Sequence, residues 1–226
     1  AGRLSPHPFE RPTGLATLRT WLLETDADEP ANPQGAACAL AFLSPAARAT
    51  LAPLAMAHRS HRVRIESGWA LARIGDASGI DVLVALARDA RTAWLAIDYL
   101  EELGRADSTP PEARDPAFRA MADMCKWLEH PMEFERPPDR IECIDARRVF
   151  WPPTGDERAV WLFHYRYEPD AARADAEEGI GMVGSVTFSL SGETALTQTP
   201  EHVYGLHCCW ELQQAGAPRA PKTRNG

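Results

Sequence analysis

The feature that most restricts the fold of this chain is an internal repeat with a period of about 29 residues. A shift by that length places Arg59 on Arg88, Leu71 on Leu100 and Gly75 on Gly104. Apolar residues recur at helical spacing, and each glycine stands where a helix ends in the left-handed conformation. A helical pair of this length cannot bury its own apolar face, so neighbouring pairs must stack, as they do in an α-solenoid.

The spacing predicts two helical pairs in this region, residues 45–57 with 60–74 and residues 78–88 with 91–103. The runs Val63-Arg64, Ala70-Leu71-Ala72-Arg73-Ile74-Gly75-Asp76 and Ile80 to Asp89 resemble the HEAT-like repeat of the phycobilisome-lyase type. The resemblance is closest over about 45–104, weaker over 14–44 and 115–129, and absent beyond 132. It implies a HEAT-like solenoid with a protein-binding surface, and a few relatives act in chromophore attachment.

Beyond residue 132 the pattern changes to short runs in which apolar and polar residues alternate. These runs predict three antiparallel strands, at 140–151, 159–167 and 180–190, with an acidic loop over 168–178. In the second strand Trp161, Phe163, Tyr165 and Tyr167 share one face, which needs a cover. A helix from Pro200 to about residue 213, capped by Thr199, is predicted to supply that cover by burying Val203, Leu206, Trp210 and one of the adjacent cysteines.

The sequence therefore predicts a mainly α protein in two domains. Residues 1–131 form the HEAT-like helical repeat domain, and residues 132–214 form a small α+β domain with a three-stranded antiparallel sheet and a terminal helix. Residues 215–226, rich in proline, alanine and basic residues, are predicted to be a disordered tail.

Charge and composition exclude several classes of partner. The chain has 24 Lys+Arg against 32 Asp+Glu, a formal net charge of -8, which disfavours binding to phosphate backbones and makes nucleic acid an improbable partner. No run approaches the roughly 20 apolar residues of a membrane span. The five cysteines do not form a disulfide framework, and we expect reduced, buried thiols in a cytoplasmic protein.

The second helices of the two pairs carry aromatic and charged residues on the face opposite their apolar stripe. Such residues dominate binding energy at protein interfaces, and stacking places second helices on the concave side of a solenoid. We therefore predict a scaffold or adaptor that binds another protein there, although the same tryptophans would also serve packing between repeats. The predicted partner-binding residues are Arg62, Trp69, Arg73, Arg91, Trp94, Asp98 and Glu102.

An enzyme or enzyme subunit, a lyase or modifying factor, is the alternative hypothesis. It would place a ligand pocket where the helical and α+β domains meet, with His164, Arg166 and His207 as candidate lining residues. The catalytic residues cannot be assigned from the sequence, because no nucleophile stands in a recognisable relation to a base.

Three further motifs favour structural roles. The run from Gly179 to Gly184 matches G-x-G-x-x-G, but an acidic loop precedes it and a strand follows, so we interpret it as a strand with close backbone approach and predict no cofactor. The terminal histidines and cysteines are poorly spaced for zinc, and no metal site is predicted. The basic run from His58 to Arg64 could hold an anion or an acidic loop, although arginines in such turns usually pair with neighbouring repeats.

Overall fold

The computed structural model describes residues 7–24, 31–169 and 174–216. The chain divides into two compact units, 1–122 and 123–226, and the boundary lies within a helix, earlier than the predicted boundary after residue 131. The protein is mainly helical and contains an antiparallel sheet of four strands, not the predicted three. The described helices are α1 Pro12–Leu23, α2 Ala31–Ala39, α3 Pro45–Met56, α4 His61–Arg73, α5 Ala77–Leu86, α6 Ala90–Glu102, α7 Pro116–Leu128, α8 Glu193–Leu196 and α9 Pro200–Gly216.

The four helices predicted from the repeat are α3 to α6, and each is confirmed to within a few residues. Side chains just outside the helices cap their first turns: the Ser78 amide donates to Asp76 Oδ1 at 3.0 Å, and the Arg91 amide donates to Asp89 Oδ1 at 3.0 Å. After α4 and α6 the backbone turns through Gly75 and Gly104, with φ of 89° and 67°, as predicted.

The core of the first unit consists of two clusters that meet along α4. One cluster packs α1 to α4 around Leu18, Leu40 and Leu71. The other packs α4 to α7 around Ile65, Leu83 and Leu100. Trp69 of α4 is partly buried against the first cluster, and Trp94 of α6 is partly buried against the second.

The sheet of the second unit has the order β1-β2-β3-β4, with every neighbouring pair antiparallel. The predicted third strand is in fact two strands, because the chain turns at residues 184–186 and Met182 then pairs with Phe188. Glu177 and Glu178, assigned to the acidic loop, begin β3. The strands are β1 Arg140–Trp151, β2 Asp156–Tyr167, β3 Glu177–Val183 and β4 Thr187–Ser191.

Helix α9 covers the sheet, but not on the predicted face. Its buried Val203 and Tyr204 pack with Val160 and Leu162 of β2, while Phe163, Tyr165 and Tyr167 lie on the other face. There Phe134 stacks on Tyr167, with ring centroids 4.3 Å apart. Both faces of β2 are therefore covered, whereas β1 is largely exposed.

The helix also uses a different face from the one predicted. Val203 is buried as expected, but Leu206 and Trp210 are 48% and 52% exposed, and Tyr204 and His207 are buried in their place. Thr199 does cap α9, since its Oγ1 accepts from the His202 amide at 3.3 Å. The predicted tail overlaps the end of this helix, and residues 217–226 lie outside the described part of the chain.

The G-x-G-x-x-G run lies on β3 and in the turn after it, in agreement with the structural interpretation. A side chain at Gly179 would collide with the hydroxyl of Tyr165, and one at Gly181 would collide with the sulfur of Met124. At Gly179 the backbone of Leu190 also occupies the space that a Cβ atom needs, whereas at Gly181 the obstacle is the end of the Met124 side chain.

No helix in the described residues is long and apolar enough to cross a lipid bilayer.

Candidate functional site

The structure brings five of the seven predicted partner-binding residues into two groups, each of which joins α4 to α6. The Arg62 guanidinium lies 4.9 Å from the centre of the Trp94 ring, joining the start of α4 to α6. The Arg73 guanidinium lies 5.0 Å from the Trp69 ring, and the Trp69 indole donates to Glu102 Oε1 at 3.3 Å. We name these five residues, Arg62, Trp69, Arg73, Trp94 and Glu102, the α4–α6 strip.

The two other predicted residues lie on α6 but make different contacts. Arg91 is exposed and forms an ion pair with Asp89 of its own helix start, with an N–O distance of 2.6 Å. Asp98 is exposed. Both residues are therefore accessible to a partner.

A polar cluster that the sequence did not reveal supports the α4–α6 strip. Tyr99 of α6 donates to both oxygens of Glu66 on α4, at 2.9 and 3.0 Å, and its ring packs against Trp69 at 5.7 Å. The Cys38 thiol donates to the same carboxylate at 3.2 Å. This carboxylate therefore joins α2, α4 and α6 beneath the tryptophan.

Burial and the neighbouring Glu66 carboxylate raise the pKa of the Cys38 thiol to about 12. The same two causes raise the pKa of Tyr99 well above its usual value. Both groups are therefore protonated donors at neutral pH, and Cys38 is not a nucleophile.

We expect the five cysteines to react at very different rates with iodoacetamide at pH 7.5. Cys209 is exposed and should be labelled first, whereas Cys38 should stay unlabelled in the folded protein because the reactive thiolate is scarce at this pKa. Peptide mapping by mass spectrometry over a time course measures each rate. Labelling of Cys38 as fast as Cys209 would contradict the thiol–carboxylate bond, and denatured protein, in which all five should react alike, is the control.

A second candidate site lies wholly in the second unit, at the free edge of β4. It is a groove of about 540 Å³ between β4, α9 and the end of α7. Apolar and aromatic side chains dominate its wall, and no Asp, Glu, Lys or Arg is among its described lining residues. The side chains that shape it include Trp127, Phe188, Leu190, Leu206, His207 and Trp210.

Hydrogen bonds hold the wall of this groove in place. The Trp127 indole donates to Ser189 Oγ at 3.1 Å, and Ser189 in turn donates to Glu133 at 2.7 Å. On the opposite side the His207 ring stacks on Phe188, with centroids 4.5 Å apart and planes 9° from parallel. The aromatic walls are therefore preformed.

Behind His207, the Glu211 carboxylate accepts three hydrogen bonds. It accepts from the Trp151 indole at 2.6 Å, the Ser185 hydroxyl at 2.7 Å and His207 Nε2 at 3.2 Å. Burial alone would raise the pKa of Glu211, but these three donors outweigh burial and hold it below its usual value. Burial lowers the pKa of His207 by more than the hydrogen bond and charge of Glu211 raise it. The imidazole is therefore neutral at neutral pH.

The structure does not bring the three predicted pocket residues together. His207 lines the groove, whereas His164 lies between Glu142 and Glu178, with N–O distances of 3.3 and 3.1 Å. Arg166 pairs with Glu178 and Glu168. His164 and Arg166 thus contact the carboxylates of Glu142, Glu178 and Glu168, and neither lines the groove.

The described side chains do not form a hydrolytic triad around His207. Ser185 donates to Glu211 and not to His207, so the carboxylate stands between the hydroxyl and the imidazole, whereas a nucleophilic serine must bond to its base. In residues 7–24, 31–169 and 174–216, no three His, Cys, Asp or Glu side chains converge as metal ligands would.

Several residues of the basic run from His58 to Arg64 make contacts within the protein. His58 is buried, its Nε2 contacts the Glu24 carbonyl at 2.9 Å, and its Nδ1 accepts from the Ser60 amide at 3.0 Å. With Arg62 placed over Trp94, this run shapes the turn before α4 and the start of the strip.

No family model, curated protein or solved structure matches this chain. The two candidate sites therefore have to be interpreted from their own geometry.

The sequence signal for the groove was present but was assigned to the core. Leu206 and Trp210 are four residues apart, as are His207 and Glu211, so two adjacent stripes run along α9. Composition does not distinguish the buried stripe from the exposed one, because each stripe contains aromatic or apolar residues.

Proposed function

We propose that this protein recognises another protein through the α4–α6 strip, on the concave side of a HEAT-like solenoid built by stacked helical pairs. The observation that carries the proposal is the pairing of each tryptophan of the strip with an arginine, Arg62 with Trp94 and Arg73 with Trp69. Tryptophan and arginine are the residues most enriched among those that dominate interface energies.

The strip is ordered before any partner arrives, which supports its use in binding. Trp69 is held by Arg73 on one ring face, by Tyr99 in a tilted contact and by Glu102 through its indole N–H. Side chains that are already immobilised lose little rotamer entropy on binding, so more of the contact energy appears as affinity.

The charges around the strip favour a protein partner of mixed charge. Arg73, Asp98 and Glu102 are all exposed, so both signs lie close to the tryptophans. Carboxylates at this position would repel the phosphates of a nucleic acid. A protein surface can instead place opposite charges against both the arginines and the carboxylates, which would orient the partner on the strip.

The test is affinity capture from the native lysate with quantitative mass spectrometry, comparing the wild type with a Trp69→Ala/Asp98→Arg variant. We expect a stoichiometric partner whose capture falls at least tenfold in the variant, because an anchor is lost and a charge reversed. The partner, once purified, should bind the wild type with a Kd that the variant weakens by about the same factor.

Two further variants separate loss of binding from loss of folding. Arg73→Glu/Asp98→Arg changes only exposed side chains and should also abolish capture, while Leu23→Ala/Asp81→Arg alters exposed residues of α1 and α5 and should retain it. These two variants, which change only exposed side chains, should melt near the wild type. Equal capture of one partner by the wild type and both strip variants would refute the proposal.

A further inference from the structure

We infer that the groove beside β4 is a binding site for a small, planar, uncharged aromatic molecule that carries one hydrogen-bond donor. The groove belongs to the second unit alone and does not depend on the α4–α6 strip. Its volume of about 540 Å³ lies within the range of roughly 300–1,000 Å³ that is usual for sites binding small organic molecules.

The exposed aromatic surface of the groove favours an apolar ligand. Trp127, Leu206 and Trp210 are 37%, 48% and 52% exposed, although each lies against other apolar residues of the same groove. A contiguous exposed patch of this kind is typical of a binding site, because burying it removes apolar area from water.

The rings of the wall favour a flat occupant. His207 lies nearly parallel to Phe188, and the Trp210 ring is 5.5 Å from His207 and only 30° from parallel to it. Trp210 is 52% exposed, and an aromatic ring gains more by offset stacking on its exposed surface than an aliphatic chain of equal area.

Charge complementarity excludes an ionised ligand. None of the described side chains that line the groove is a carboxylate, an ammonium or a guanidinium group, so a charge taken into it would lose its hydration without gaining a counterion. The polar side chains among the described lining residues are Thr187 and the neutral His207, and neither supplies a charge.

The position of the proton on His207 determines whether a ligand must donate or accept a hydrogen bond there. Its Nε2 faces a carboxylate that accepts from two other donors, so Nε2 must carry the proton. In the neutral ring Nδ1 then holds a lone pair, and no residue in the described part of the chain donates to it. The complementary ligand group is an N–H or O–H donor.

Isothermal titration calorimetry with three naphthalene derivatives at pH 7.5 tests each part of this inference. 2-Naphthol, planar and uncharged with one donor, should bind saturably at one site. 2-Methoxynaphthalene has nearly the same shape without the donor and should bind about tenfold more weakly. Naphthalene-2-sulfonate should bind at least tenfold more weakly than 2-naphthol because its charge is unmatched.

Three variants connect the binding to the groove. Trp210→Ala should weaken 2-naphthol binding about tenfold, whereas Leu212→Ala, on the same helix, 45% exposed and outside the groove lining, should leave it unchanged. His207→Phe keeps the ring stack but removes the acceptor, and it should abolish the preference for 2-naphthol over its methyl ether.

Several results would overturn the inference. They are absence of saturable 2-naphthol binding by the folded protein, equal affinity for all three probes, and binding that Trp210→Ala leaves intact. A dimer that dissociates on Trp210→Ala, seen by light scattering in the absence of 2-naphthol binding, would assign the groove to a second copy of the chain and would also overturn it.

Discussion

Replacement of Gly181 by alanine should lower the free energy of unfolding of the second unit by about 1–3 kcal/mol. The added methyl group would collide with the sulfur and terminal methyl of Met124, which is fully buried against β3. Since β3 is an inner strand of the sheet, the collision can be relieved only by moving Met124 or the strand itself. Urea unfolding followed by tryptophan fluorescence measures the change.

Gly205→Ala is the matched control for this substitution. Gly205 is exposed within α9, and an added Cβ atom would meet nothing within 4 Å. Alanine there should raise the free energy of unfolding by roughly 0.5–1 kcal/mol, because glycine costs about that much in a helix. If both substitutions stabilise the protein, Met124 does not pack on β3 as the structure shows.

Glu211→Ala should destabilise the second unit by about 3 kcal/mol at pH 7, since the buried Trp151 indole, Ser185 and His207 would all lose their acceptor. Urea unfolding measures this loss as well. Gln213→Ala, an exposed change two residues along the same helix, is the control and should stay within about 0.5 kcal/mol of the wild type. A small effect of Glu211→Ala would mean that water replaces the carboxylate at little cost.

The pH dependence of Glu211→Gln tests whether the charge of the carboxylate matters. The folded state holds the pKa of Glu211 below its unfolded value of 4.5, so the stability that the carboxylate contributes is present above pH 4.5. It is lost as pH falls through the folded pKa. The free-energy gap between wild type and Glu211→Gln should therefore narrow as the pH falls below 4.5, and a gap that stays constant would contradict this assignment.

The repeat region was well predicted because its signals are local. The helical spacing, the caps Asp76 and Asp89 and the glycines at 75 and 104 act within one or two turns of the chain, and they set where α4 to α6 begin and end. The stacking of these pairs into a solenoid involves contacts over longer separations, and it stays a prediction.

The candidate sites were predicted in part, because they depend on contacts between distant residues. Trp69 was assigned to its strip from helical phase alone, but its bond to Glu102 spans 33 positions in the chain. The bond between Trp151 and Glu211 spans 60. No pattern within a window of ten or twenty residues contains either pair.

The chain's local patterns determined the helices of the repeat, the cap of α9 and the first two strands. Tertiary contacts decided which face of the sheet α9 covers, because the sheet has apolar residues on both faces and Phe134 and Met124 already occupy the more aromatic side. That choice buries His207 and leaves Leu206 and Trp210 beside β4, where they form the groove. Competition between distant segments for the same apolar surface is settled only when the whole core assembles.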